Sequence, residues 1–540
     1  MSVPVAAGAT RLSVGDPART YVEARAAAIN GDHARSAELL AGLAEAEPGH
    51  TGIARSALVE AIGAGQFDLA LRLARSLPAA KLPTDARLLL VTDEVKHHRL
   101  QQALGWLNAG GERGDLSFLA PFLTAWDAAD RGDARAALAS IATVSSKSLL
   151  APLRAEEQAL ILLKFRRTAD AEPFARRAIG NAGARETHVR LALSDGFLAA
   201  GDRTRALAML DGMEGDAAAA RQRVLSGRPS GVAIDNSAKA LSAILTAFTA
   251  DLARVQQAAP PVGLVQVARY ADPHNSSAVA LLALLLEAQD RADDGLALLK
   301  AIPANDPLIS QVRDVQVRIL NENKRVNEAY AIAAAAAADK NAGMADFSRL
   351  GDVYEAMNRH NDAADSYGRA AALAKAQGLN SELWPLLLLR AGALEEGNRW
   401  PEAKQALQQA LVIAPNQPLL LNFLGYAQLE RGENMESAEA MIRKASELAP
   451  DNASITDSLG WAQFKRGKVE EAIATLQSAA EKDPDQAEIQ EHLGDALYTS
   501  GRRMEARFAW NAALVTAEDD VATRVKAKLE SGLTTADAAP

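Results

Sequence analysis

Three glycines set the frame. Gly425, Gly460 and Gly494 lie 35 and 34 residues apart, inside the related phrases LGYAQLERG, LGWAQFKRG and LGDALYTSG. Ala438, Ala472 and Ala506 follow at steps of 34, and so do Ala445, Ala479 and Ala513. Pro450 and Pro484 close two of the units. A period of about 34 residues marks one supersecondary unit, a helix-turn-helix, copied along the chain. Such a unit is too small to bury its apolar face alone and does so only against its neighbours.

Length and composition agree with stacking. A chain of 540 residues is far too long for one ordinary compact core. Apolar residues make up 49% of it but aromatics only 4%. Much of the apolar share is Ala, the best helix former and small enough to let helices approach. The expectation is an all-α chain, a solenoid of about 14 helix-turn-helix repeats. The net charge of −10 and the lack of a basic run argue against nucleic acid as the main ligand. Cysteine is absent, which excludes a disulfide, a thiolate zinc site, a cysteine nucleophile and a lipid-modified N-terminal cysteine. No stretch reaches the roughly 18 apolar residues of a membrane helix. The opening MSVPVAAGAT fits the tail of a secretion signal, with Ala7-Gly8-Ala9 as a small-x-small cleavage pattern. It lacks the positive start and long apolar middle, and a frayed N-terminus is the other reading. With a start codon upstream, export is expected.

The repeat register extends over nearly the whole chain. The small residue where the second helix crosses the first falls in turn at Ala37, Ala70, Ala103, Ala137, Ala171, Ala206, Pro261, Gly295, Ala329, Ala363, Ala403, Ala438, Ala472 and Ala506. Small residues there permit ridges-into-grooves packing at short range. A glycine often precedes the crossing by five residues, as in Gly467 to Ala472 and Gly501 to Ala506, where it can take the left-handed conformation that ends a helix. Two steps are long. Between Ala206 and Pro261 the step is 55 residues. There SGRPSG reads as a loop and Asn236 to Gln257 as one long amphipathic helix. This is either a tolerated insertion or a joint between two superhelical halves. The step from Ala363 to Ala403 has six extra residues, assigned to a longer helix-helix connection at KAQGLNSEL. The alanine run at 333–338 sits where a second helix is due. The expected organisation is a flexible or signal-remnant segment at 1–19, degenerate repeats at 20–225, an irregular joint with an extra helix at 226–260, clear repeats at 261–516, and a capping helix with a disordered tail at 517–540.

The search for catalytic chemistry returns nothing. There is no P-loop, no GxGxxG after a strand, no HExxH and no GxSxG. The histidines His33, His50, His97, His98, His188, His274, His360 and His492 are scattered. His97 and His98 are adjacent but point about 100° apart on a helix, so they form no ligand pair. Paired carboxylates such as Glu470-Glu471 and Asp519-Asp520 fall at helix starts, where acids complement the dipole. No catalytic residue, metal site or cofactor is expected.

The geometry offers a groove instead. Residues at i, i+4 and i+7 of a first helix share one face. In the last three repeats that face carries Asn422, Tyr426 and Leu429, then Asp457, Trp461 and Phe464, then Glu491, Asp495 and Tyr498, with Lys465 beside them. Aromatics supply stiff contact area for a partner. The other reading packs Tyr426, Trp461 and Phe464 between repeats and leaves the acids on a solvated face. The candidate partner-binding set is Asn422, Tyr426, Asp457, Trp461, Phe464, Lys465, Glu491, Asp495 and Tyr498.

These phrases resemble the tetratricopeptide repeat, most specifically from about Met344 to Leu514. The resemblance implies an all-α, right-handed superhelical solenoid, a non-enzymatic scaffold that holds partner proteins on its concave face. Members that capture an acidic peptide C-terminus use Lys, Arg and Asn where this chain has Asn422, Asp457 and Glu491, so a neutral or basic partner with apolar anchors is expected. The runs NFLGY, DSLGW and EHLG are similar to those of long bacterial envelope proteins, outer-membrane lipoproteins that act as adaptors for a C-terminal processing protease. That likeness implies a periplasmic adaptor; the absent lipobox cysteine departs from it. Cytoplasmic repeat proteins are the alternative. Rival functions are a helical-repeat enzyme acting on cell-wall glycan, with its site in 226–257, and a structural module that self-associates.

Overall fold

The structure, a computed structural model, describes residues 16–109, 116–213, 217–255 and 262–534. The expected signal remnant before residue 16, the crossing at Pro261 and the tail after Thr534 lie outside them. Among the described residues every regular element is a helix, and there is no strand. They fall into two compact units, Met1–Ile332 and Ala333–Pro540.

The repeat register is realised in the packing. All twelve crossing alanines, from Ala37 to Ala506, are fully buried. At Gly295 the fit is closer still: a Cβ there would sit 2.8 Å from the carbonyl oxygen of Ala283. The turn after each first helix needs one left-handed residue. Gly467 (φ +77°) and Gly501 (φ +88°) supply it in the last two hairpins, while Asn358 and Asn398 take the same conformation in earlier ones. Asn tolerates that region better than other side chains, so the turn survives where the glycine signature fades.

The C-terminal unit is a regular run of hairpins. Its first helices are Met344–Ala356, Asn380–Glu396, Pro418–Glu430, Ala453–Lys465 and Ala487–Thr499. Each pairs with the helix that follows it, and strong packing runs between elements adjacent or next-but-one in sequence. The helix Asp519–Ser531 packs on Arg503–Thr516 and closes the stack, burying Val525 and Lys528 completely. The six extra residues near Lys375 were expected to lengthen a connection, and they do not. They lengthen the helices: His360–Ala376 and Asn380–Glu396 have 17 residues each. Only 377–379 separate them, because Gly378 turns at φ +70°.

The N-terminal unit starts the same way and then doubles back. After hairpins whose first helices include Thr51–Gly63, Thr84–Lys96, Ala120–Asp130, Arg154–Lys164 and Glu186–Ala199, the chain forms Ser237–Val255 and Val262–Ala271. Ser237–Val255 packs against Ala120–Asp130 and Thr84–Lys96; Val262–Ala271 packs against Thr84–Lys96 and Thr51–Gly63. Residues Val262 to Ala268 are buried without a break, and so are Ala86 to Val95. Phe118 meets Phe248 with ring centroids 5.7 Å apart. Gln266 Nε2 donates to Gly63 O at 2.9 Å. The Tyr270 hydroxyl donates to Asp93 at 2.7 Å, and Lys96 Nζ donates to Tyr270 O at 2.7 Å. Helices buried on all sides form one contiguous core here, unlike the open stack of a simple solenoid.

Candidate partner-binding face of the C-terminal unit

The face is built from the first helices Pro418–Glu430, Ala453–Lys465 and Ala487–Thr499. Their crossing glycines fix how closely the second helices approach. A Cβ on Gly425 would lie 2.7 Å from Ile442 Cγ1, and one on Gly460 2.6 Å from Leu476 Cγ. With the helices held this close, side chains one and four positions after the glycine project along the same face.

Acids on this face are tied to cations or donors one repeat further along. Glu395 meets Arg431 at 2.9 Å, and Glu430 meets Lys465 at 3.6 Å. Trp461 Nε1 donates to Glu430 at 3.2 Å. Asp457 faces His492 Nδ1 at 2.9 Å. Glu491 accepts from Arg524 at 2.8 Å and from Lys528 at 2.6 Å; Lys528 also donates to Asp495 at 2.8 Å. Trp510 Nε1 donates to Asp495 at 3.0 Å. The result is a ladder of acid-to-base steps that runs from hairpin to hairpin and ends on the capping helix.

Burial sets the titration of this ladder. Burial acts to raise the Glu491 carboxyl, but the bonds from Arg524 and Lys528 outweigh it and hold it below the usual carboxylate range. Burial acts to lower His492, and the Asp457 carboxylate outweighs that and raises it. The ring of His492 also stacks on Trp461, with centroids 4.2 Å apart and planes 12° from parallel. Phe464 stacks on the same indole at 4.9 Å.

The nine residues expected at the interface therefore occupy two depths. Trp461, Asp457, Glu491 and Asp495 are buried, and their polar atoms are engaged within the unit. Asn422, Tyr426, Phe464 and Tyr498 are half-buried and Lys465 is exposed. Among the described residues Asn422 Oδ1, itself buried, accepts no hydrogen bond. One turn along the helix, the Tyr426 hydroxyl is held neutral by burial and then by the charges of Glu430, Asp457 and Glu488, which raise it well above its ordinary value. Composition and periodicity did not single out Glu430, His492, Arg524 or Lys528. Their signal is a base about one repeat after each acid, visible only once repeats are aligned.

In the N-terminal unit a polar cleft of about 1310 Å³ is lined by Asn30, His33, Gln266, Arg269, Arg291 and Arg325, among others. Arg291 and Arg325 on its wall are tied to Asp294 and Asp293. Among the described residues no group of three or more His, Asp or Glu could hold a metal ion, and no helix is long and apolar enough to cross a membrane.

Both family models that match describe tetratricopeptide repeats. The family model described as TPR repeat matches residues 460–501, and the one described as Tetratricopeptide repeat matches residues 347–381. No curated protein matches. Among solved structures, the Cut9–Hcn1 hetero-tetramer of APC/C is 15% identical, covering 97% of this chain and 98% of that one, with a TM-score of 0.36. A thermophilic TPR protein of Thermus thermophilus is 22% identical over 35% of this chain and 100% of its own, with a TM-score of 0.30. YrrB, a TPR protein with an unusual peptide-binding site, is 17% identical over 36% of this chain and 97% of its own, with a TM-score of 0.28. The matched segments coincide with the hairpin Met344–Ala356/His360–Ala376 and with the span that joins the Ala453–Lys465 helix to Ala487–Thr499: the chain carries tetratricopeptide repeats in its C-terminal unit.

Proposed function

We propose that the protein is a non-enzymatic scaffold whose partner protein lies on the first-helix face of the C-terminal unit. The contact residues are Asn422, Tyr426, Phe464, Lys465 and Tyr498, with Asp457, Trp461, Glu491 and Asp495 holding them from behind. The buried, unsatisfied Asn422 Oδ1 carries this reading. An acceptor left unpaired costs about 1–3 kcal/mol, and a partner N–H recovers it once the half-exposed Asn422 amide turns outward. The neutral Tyr426 hydroxyl beside it and the aromatic edges of Phe464 and Tyr498 favour a main chain with apolar anchors. Asp457 and Glu491 stand where a clamp for an acidic tail would need cations, so a neutral or basic partner fits best.

Within that reading the finer role is a periplasmic adaptor that presents substrates to a C-terminal processing protease. Its support is the likeness of NFLGY, DSLGW and EHLG to envelope repeat proteins. The test is a crosslinked pull-down from the native organism, with wild type beside an Asn422→Ala/Tyr426→Ala/Lys465→Glu variant of unchanged melting temperature. The expected result is capture of a specific partner that the variant loses. A variant that keeps every partner sinks the face assignment. Partners confined to the cytoplasm sink the adaptor role and leave the face standing.

A further inference from the structure

The segment between Arg228 and Ser237 is held in an unusual way. It is neither helix nor strand, and it crosses three first helices of the N-terminal unit in reverse order. Asp195, on Glu186–Ala199, is 1% exposed. Its carboxylate accepts from the backbone N–H of Ser230 at 2.5 Å, Gly231 at 2.9 Å and Val232 at 3.0 Å. Lys164, on Arg154–Lys164, donates to the backbone carbonyl of Asp235 at 2.5 Å. Asp130, on Ala120–Asp130, accepts from the backbone N–H of Ser237 at 3.0 Å and pairs with Lys164 at 3.2 Å. Successive N–H groups converging on one carboxylate form an anion-binding concavity.

Every bond that this wall makes to the segment goes to main chain. Among the described residues the buried Ser230 Oγ finds no partner, so the seat is not cut to that side chain. Selection comes from shape alone. Gly231 takes φ +109°, and a Cβ there would lie 3.2 Å from Pro307 Cγ. Val232 and Ile234 pack on the core beneath. A wall that reads backbone through Asp195, Lys164 and Asp130, then admits Gly and alternate aliphatics, is a peptide seat with its own chain in it.

We propose that residues 229–237 are a resident ligand in cis, and that this seat binds a peptide of pattern Ser-Gly-aliphatic-x-aliphatic once they are displaced. A tethered ligand competes at an effective concentration of order millimolar, so a free peptide gains access only when the tether is weakened. The inference concerns the N-terminal unit and stands apart from the partner face at Asn422 and Tyr426.

The test uses the full chain and a fluorescent peptide of sequence SGRPSGVAIDNSA, residues 226–238. Two weakened chains are made: Val232→Ser/Ile234→Ser, and one with 229–236 replaced by Gly and Ser. Amide exchange at 230–232 reports release of the segment. The expected result is at least ten-fold tighter peptide binding to a released chain than to wild type, lost again by at least ten-fold when Asp195→Ala is added. Equal binding to wild type and released chains overturns the proposal. So does a released chain that melts as wild type and binds no peptide. If both weakened chains fail to fold, the segment is a structural part of the core and the proposal falls with it. None of these results moves the pull-down at the C-terminal face.

Discussion

The two units use the same hairpin and close its inner face by opposite means. In the N-terminal unit the chain returns over its own first helices, so Thr84–Lys96 meets helices far along the sequence. In the C-terminal unit side chains do the work, through a ladder in which each acid reaches the next hairpin. The first solution makes contacts of large sequence separation, as in the bonds Gln266–Gly63 and Tyr270–Asp93. The second keeps the steps of its ladder within about one repeat. A stack of nearest-neighbour contacts behaves as a sum of local terms, whereas contacts that span a whole unit bind its parts into one cooperative block. The difference shows how a single motif yields both a fixed body and a surface with accessible edges.

The largest effect should come from charges placed at helix crossings. Ala103 and Ala472 are both fully buried, and Glu at either leaves an unpaired charge where no water reaches. Each should cost more than about 4 kcal/mol. The comparison lies in how far the damage spreads. Ala472→Glu should raise amide exchange in the hairpins on either side and spare Met344–Ala376. Ala103→Glu should raise it from Thr51 through Ala271 together. Equal, local spread in both would mean the returning helices add no cooperativity.

A smaller loss is expected at the capping helix. Lys528 is wholly enclosed between Glu491 and Asp495. Removing one partner of a buried ion pair leaves charge unpaired and costs about 3–5 kcal/mol, while removing all the charges is far less harmful. Lys528→Met should therefore lower the melting temperature of the C-terminal unit. Adding Glu491→Gln and Asp495→Asn should recover most of it. If the triple variant melts no higher than Lys528→Met, the ladder is incidental to stability.

What the sequence disclosed follows the same division. The 34-residue step and the crossing alanines were readable because packing there demands one small residue in every copy. The ladder was half readable. Asp457, Glu491 and Asp495 stood out as acids on a shared face, but their partners His492, Arg524 and Lys528 sit one repeat away and look ordinary in isolation. The return of Ser237–Ala271 was legible only as a long step. Its helices carry common apolar periodicity, and nothing local says what they cover. The one hint lay elsewhere, in Leu88-Leu89-Leu90-Val91, four apolar residues in a row on a first helix whose inner face should have been wet.

The smallest expected effect separates the two ways of burying an acid. Where the C-terminal ladder pairs its acids, the N-terminal unit holds Glu157 with no ion pair among the described residues; Arg185 bonds its neighbour Glu156. Burial, and then the Glu156 carboxylate, push Glu157 up to about 8, while Trp126 Nε1 donates to it at 2.5 Å. The unfolded chain releases this proton near pH 4.5 and the folded chain keeps it. Between those values the folded state binds the extra proton, so stability falls as pH rises from 4.5 towards 8 and levels off above. Glu157→Gln keeps an oxygen for the indole N–H and has no proton to lose. It should raise stability at pH 8 by on the order of 2 kcal/mol, leave it unchanged near pH 4.5 and flatten the slope between. Thermal melts of wild type and variant across that range decide it, and parallel curves would mean that Glu157 ionises in the folded chain with a partner of its own.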